Sequence, residues 1–254
     1  MCTASWIIRP DGYSLFFNRD ERRTRSEALF PEVTRKADMR IVMPKDPDGG
    51  GTWIAMNDAG VSVCLLNYYQ EKIPPGALVS RGQLVVSLAD CRDFDEVSTR
   101  LAALPLDKMA PFTLLLFTPD ISQYRRPHAW QWDGAQLTPR VVTAPVISSA
   151  VCLEEVVRSR TELYCQLAPK NEVEALAYHR SHRPERGYLS VCMHRDDACS
   201  VSLTHVSVSG DEMEMDYYPG SPCECHAPVK TMISRTDAQV TSGALEAIGK
   251  RKHS

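Results

Sequence analysis

Apolar positions along this chain fall into short runs separated by turn residues. One run extends from Met1 through Ile8 and a second from Tyr13 to Phe17, joined by Pro10-Asp11-Gly12. Two short apolar runs across an Asp-Gly turn predict a β-hairpin, which folds Cys2 close to Arg19 and Asp20. Residues 22–51 are polar, with Pro31, Pro44, Pro47 and three consecutive glycines, and read as one long loop. A second hairpin is expected over 52–57 and 61–67, turning at Asn57-Asp58-Ala59-Gly60. Helical spacing predicts helices over 83–90 and 94–104, the latter from Val97, Leu101 and Leu104, with Pro105 as its stop.

The near-continuous apolar run 112–118 predicts a strand covered on both faces, and 129–133 and 141–149 read as further strands. Helices are expected over 153–167 and 172–179, then a polar break at 180–186. Strands over 188–194, 200–208 and 212–218 close the pattern. Residues 1–225 are expected to form a single domain. Residues 226–254 read as a polar tail, poorly ordered or a loosely docked helix from residue 231 onward. Blocks of strands alternating with blocks of helices predict an α+β fold with helices laid on sheet faces.

Composition narrows the function classes. At 43% hydrophobic and 24% charged over 254 residues, the chain can bury a sizeable core. A net charge of −3 gives no basic excess for nucleic acid. No apolar stretch approaches the ~20 residues of a membrane span, and no secretory signal opens the sequence. A cytoplasmic protein with reduced thiols is the expectation, and nine cysteines cannot all pair internally. Cys223-x-Cys225-His226 has the look of half a metal site, but no second half stands at suitable spacing, so no metal is expected. Gly49-Gly50-Gly51 lacks the Lys and Ser/Thr of a phosphate loop.

The chemistry concentrates in the first hairpin. Removal of Met1 would leave a free α-amine and a thiol on Cys2. An α-amine with a pKa near ~8 can act as a base at neutral pH, and the thiolate is the nucleophile. Arg19 would favour the thiolate and Asp20 could hold the amine. The bland alternative is an incidental cysteine beside the initiator and a polar strand end.

Met1-Cys2-Thr3 followed by Asn18-Arg19-Asp20-Glu21 resembles the NRDE, or transport-and-Golgi-organisation, family. That N-terminus in turn resembles the cysteine N-terminal-nucleophile hydrolases of the choloylglycine hydrolase and penicillin V acylase group. The segment from Gly50 through Tyr68 is similar to its counterpart in both. The resemblance implies a four-layer αββα sandwich of two antiparallel sheets. It implies Cys2 as nucleophile, Arg19 as thiolate partner, Asp20 as amine ligand and Asn67 as an oxyanion donor, with Asn18, Ser148 and Ser149 toward substrate. Asn67 read without the resemblance is a strand-end cap.

Three departures stand out. Arg19 and Asp20 are adjacent where the hydrolases space the pair as Arg-x-x-Asp, which brings Glu21 or Arg22 nearer the aspartate's place. Ser148-Ser149 occupies the expected place of an asparagine. The late arginine beside the nucleophile has two candidates, Arg183 and Arg186.

Two functions follow from the resemblance. One is hydrolysis of a non-peptide C–N (amide) bond in a small acylated substrate, with no cofactor. The other is non-catalytic binding or trafficking of a small molecule, haem being one candidate. His194-Arg195-Asp196-Asp197 also resembles a stretch of some family members and otherwise reads as a charged turn. The segment His179-Arg180-Ser181-His182 reads as a surface loop or a basic pocket wall. The fold often assembles, so a homo-oligomer is a further expectation.

Overall fold

The first hairpin forms as its turn chemistry requires. Gly12 lies at φ 154°, and a Cβ there would stand 2.0 Å from the Val208 carbonyl oxygen of the neighbouring strand. Only glycine admits that approach. The computed structural model describes residues 1–73, 79–124 and 126–235.

The first half runs β1 (Cys2–Arg9), β2 (Gly12–Arg22), β3 (Leu29–Lys36), β4 (Met39–Lys45), β5 (Ile54–Asn57), β6 (Ser62–Asn67), α1 (Arg81–Leu88) and α2 (Phe94–Ala103). The middle holds β7 (Phe112–Phe117), α3 (Ile121–Tyr124), β8 (His128–Trp132), β9 (Leu137–Pro139) and β10 (Val146–Ser148). The chain closes through α4 (Leu153–Leu167), α5 (Glu172–His179), β11 (Ala198–Ser209), β12 (Glu212–Pro219) and β13 (Val229–Ser234).

Two antiparallel sheets result. One has the order β10-β1-β2-β11-β12-β13 and the other β3-β4-β5-β6-β7-β8-β9. The inner faces meet in a core that includes Ala4, Trp6, Leu15, Phe17, Met56, Leu66 and Phe117. On the outer face of the seven-stranded sheet, Ala55, Val63, Leu114 and Leu116 pack against Leu84, Val85 and Leu88 of α1 and Val97 and Leu101 of α2. The outer face of the six-stranded sheet is covered by α4 and α5, with Phe16 and Leu203 packed on Ala175. This is the αββα sandwich, and every residue from Gly12 to Asp20 in β2 is buried because both its faces are covered.

Several elements differ from the sequence expectation. Residues 22–51 are not one loop: β3 and β4 form a hairpin at the sheet edge. Seven of the eight residues of β3 are exposed, Leu29, Phe30 and Val33 among them, so no alternation of apolar and polar positions marks it. Glu32, Arg35 and Lys36 charge this edge, which discourages unwanted pairing. Pro31 falls at an irregularity in the register, and Pro44 lies beyond the residues that pair with β5, so neither interrupts a ladder.

Residues 188–194 form no strand, apart from a bridge between His194 and Cys199. Their carbonyls serve side chains instead: Tyr188 and Leu189 accept from Arg160, and Val191 from Asn18. Only Val146–Ser148 of the expected strand 141–149 pairs. Val229–Ser234 is a strand paired to β12 where a polar tail was expected, so the sheet extends past residue 225. The rest of that tail, 236–254, lies outside the described residues. Among the described residues no helix is long and apolar enough to cross a membrane.

His179 ends α5 fully buried, not on a surface loop. Asn18 Nδ2 donates to the His179 and Val191 carbonyls, which turns Asn18 Oδ1 toward His179 Nδ1 at 3.0 Å. The Nδ1 proton is then the donor, and Nε2 accepts from Ser5 Oγ at 2.7 Å. Burial, then Arg160 and His205, push the His179 pKa down to about 3. The unfolded chain takes up that proton below pH ~6.5, and the folded chain does not until about 3. Stability contributed by keeping His179 neutral is therefore full above pH ~6.5 and is lost on acidification through this window. The maximal slope is about 1.4 kcal/mol per pH unit. Urea unfolding at a series of pH values should show a shallower acid slope for His179→Gln. Equal slopes would contradict the assignment.

Candidate active site

The hairpin register sets the site. Cys2 stands opposite Arg19 in β2 and opposite Ser148 in β10. Directly opposed residues of an antiparallel pair share a face. Cys2, with Ala4 and Trp6 of its strand, belongs to the core between the sheets. Thr3 and Ser5 point the other way, to Arg160 and His179 under the helices.

A cavity of about 130 Å³ opens at this end of the sandwich, lined among others by Cys2, Arg19, Trp53, Asn67 and Arg81. Arg19 is held from three sides. Its guanidinium lies 4.4 Å from the Trp53 ring centroid, and it faces Glu21 at 3.6 Å and Asp46 at 3.9 Å. Arg25 pairs with the same Asp46 at 2.5 Å. Asn67 Nδ2 donates to Tyr69 Oη at 2.8 Å and keeps a second N–H. The wall containing Thr52 and Arg81 is fixed by a backbone crossing: a Cβ on Gly51 would lie 2.4 Å from the Gly82 carbonyl carbon. Thr52 N–H also donates to Gly82 O.

The predicted residues divide. Cys2, Arg19, Asp20 and Asn67 all border the cavity. The carboxylate of Asp20 is engaged on the opposite face, accepting from Ser200 Oγ at 2.6 Å and from Arg160 Nη1 at 3.4 Å. It is the Asp20 carbonyl that lies 3.3 Å from the Met1 amine. Asn18 is away from the cavity, committed to His179 and Val191 as above; strand alternation requires this once Arg19 faces inward. Ser149 Oγ donates to the Val151 carbonyl. Among the described residues, Ser148 Oγ, buried beside Cys2, and Trp53 Nε1 have no hydrogen-bond partner. Neither Arg183 nor Arg186 approaches Cys2: Arg183 bonds Gln166, and Arg186 reaches His194 and Glu224.

Two arginines escaped the sequence reading. Arg160, wholly buried, reaches Asp20 and Thr3 from α4. Its signal was a charge at a stripe position, since Val156, Arg160 and Leu163 share the buried face of the helix. Arg81, just after the Ser80 cap of α1, donates to the Pro111 carbonyl and pairs with no carboxylate among the described residues.

With Met1 attached, burial pushes the Cys2 thiol up; the chain's amino group and Arg19 pull it down by less. Arg19 alone therefore does not yield a resting thiolate. Met1 itself is buried, its side chain packed with Val156, Met193 and Ala198.

Solved structures share this fold. Penicillin V acylase from Agrobacterium tumefaciens aligns over 92% of this chain and 86% of its own, with a TM-score of 0.54 and 13% identity. The N-acylethanolamine-hydrolyzing acid amidase ortholog of Caenorhabditis elegans aligns over 80% and 92%, with a TM-score of 0.53 and 10% identity. A conjugated bile acid hydrolase variant from Clostridium perfringens aligns over 92% and 97%, at 0.50 and 8%. The architecture is thus that of the N-terminal-nucleophile hydrolases. No curated protein sequence matches the chain. Residues 1–142, more than half of the sequence, match the family described as Transport and Golgi organisation 2, and the chain belongs to that family.

Proposed function

We propose that this protein is a cysteine N-terminal-nucleophile hydrolase that cleaves a non-peptide C–N bond in a small acylated molecule. The observation that carries the reading is the register of β1 on β2. It sets a thiol, one residue from the chain start, opposite an arginine at the mouth of a cavity.

Removal of Met1 frees the Cys2 amine. The amine takes the thiol proton, which avoids a buried standing thiolate. The sulfur attacks the acyl carbon, and charge passes to the carbonyl oxygen. Asn67 Nδ2 on the cavity wall and the Ser148 hydroxyl behind it, unpartnered among the described residues, are candidate donors, each able to supply a few kcal/mol of transition-state stabilisation. The ammonium then protonates the leaving nitrogen, and the C–N bond breaks to leave a thioester. Water, deprotonated by the amine, releases the acid and restores the thiol.

A larger cavity of about 490 Å³ shares Arg19, Glu21 and Arg25 with the first and offers room for the remainder of the substrate. Arg81 supplies a cation at the cavity wall suited to a carboxylate on that substrate. Arg81→Met is expected to raise KM for carboxylate-bearing amides on the order of tenfold while kcat changes less. Equal KM for charged and esterified substrates in both proteins would contradict that role. The reaction itself is tested by screening N-acyl compounds with wild type and Cys2→Ala. Binding that persists in Cys2→Ala, with no turnover in either protein, would favour the carrier function instead.

A further inference from the structure

Far from the spacing rules of linear motifs, four ligand-type side chains converge. His194 Nε2 lies 3.2 Å from His182 Nε2, 3.5 Å from Cys192 Sγ and 3.5 Å from Cys223 Sγ. All four ligand atoms lie within 4.8 Å of one another. One imidazole nitrogen has a single proton or a single lone pair, so it cannot satisfy three such neighbours by hydrogen bonding. A shared cation can.

Zinc bonds of about 2.3 Å to sulfur and about 2.05 Å to nitrogen, set at tetrahedral angles, place ligand atoms roughly 3.3 Å apart for N–N and roughly 3.6 Å for N–S. The observed separations of 3.2 and 3.5 Å match that geometry. We propose that His182, Cys192, His194 and Cys223 form a tetrahedral zinc site.

The chemistry is consistent with a structural ion. Two cysteines and two histidines fill four positions and leave none for substrate. Binding releases the two thiol protons to solvent, and two thiolates neutralise the dication. Cys225 directs its thiol at the Ala227 carbonyl, so Cys223 alone of the tail motif takes part. Arg186 Nη2 sits 3.3 Å from His194 Nδ1. A zinc-bound His194 carries its proton on Nδ1, so Arg186 must turn aside, which its exposed position permits at little cost.

The location gives the ion a purpose. Residues 182–194 have no helix or paired strand, yet their carbonyls anchor Arg160 and Asn18 behind the nucleophile strand. Zinc would clip this loop to the turn after β12. Because the readout is metal content, the proposal stands or falls independently of hydrolysis.

The test uses the full chain, purified under reducing conditions from zinc-supplemented medium. Elemental analysis should find close to one zinc per chain in wild type and in the control Cys225→Ser, and far less in Cys192→Ser and Cys223→Ser. Cobalt added to the metal-free protein should give tetrahedral d–d bands and a thiolate-to-metal charge-transfer band, both weakened or shifted in His182→Asn. Cys223 and His182 are only half-buried, so these variants remain foldable; circular dichroism checks it. Absence of a thiolate–cobalt spectrum in folded wild type, or an unchanged spectrum in folded Cys223→Ser, would overturn the proposal. So would a Cys192–Cys223 disulfide persisting under those reducing conditions.

Discussion

Asp20→Ala is expected to cost about 3–5 kcal/mol of stability, the usual penalty for removing one member of a buried ion pair. The Arg160 guanidinium has no exposure, and Asp20 is the carboxylate within 4 Å of it among the described residues. Thr3 Oγ1 and the Tyr188 and Leu189 carbonyls accept its other N–H groups, but none carries a charge. Without Asp20 the cation is left uncompensated under α4, and Ser200 Oγ keeps only the longer contact to the Val191 carbonyl at 3.5 Å. Asp20→Asn keeps the shape and one acceptor oxygen, so its loss should be smaller. Urea unfolding of the three proteins measures both. A loss below about 1 kcal/mol for Asp20→Ala would mean that water reaches Arg160, and the pair would not be the fixed support described above.

The second large effect falls on catalysis. If hydrolysis runs as proposed, Cys2→Ala removes the nucleophile and should lower kcat on the order of 10⁴-fold or more, as when the nucleophile of a covalent mechanism is deleted. Stability should change less, since alanine keeps the strand position and loses only the sulfur and its hydrogen bond with the Asp20 backbone. Cys2→Ser keeps a proton-bearing nucleophile, but a poorer one, and should retain at most a trace of activity. A third form, with one residue placed ahead of Cys2 that processing cannot remove, keeps the thiol and converts its nitrogen to an amide. It should be as inactive as Cys2→Ala. Activity in that form would show that the amine is not the base.

Periodicity made much of the fold legible. The helix over 153–167 coincides with α4, whose buried Val156, Arg160 and Leu163 recur at helical spacing, and that over 172–179 coincides with α5, which Asn171 caps. The first hairpin was equally clear: two apolar runs across an Asp-Gly turn bring Cys2 near Arg19 and Asp20, and the strand register pairs it with Arg19. What stayed hidden was hidden for physical reasons. The exposed edge strand β3 mixes Leu29, Phe30 and Val33 with charged residues and shows no alternation. Residues 188–194 have strand-like composition but give their carbonyls to Asn18 and Arg160.

The site was legible in part. Face follows from parity once one residue is placed, so putting Arg19 inward should have sent Asn18 outward, away from substrate. The four-layer arrangement came from family resemblance, not from composition. The convergence of His182, Cys192, His194 and Cys223 depends on how a loop folds back toward the turn after β12, which linear spacing does not encode.

Whether Cys2 becomes an activated N-terminal nucleophile is read from the intact mass of the purified protein before and after brief exposure to limiting thiol alkylator, with the labelled residue mapped. Cys152 and Cys165 are exposed and should win any contest decided by access alone. Met1 should be absent, and Cys2, though buried, should be labelled ahead of both. Retained Met1 after normal processing, or label confined to Cys152 and Cys165, would contradict the proposed nucleophile.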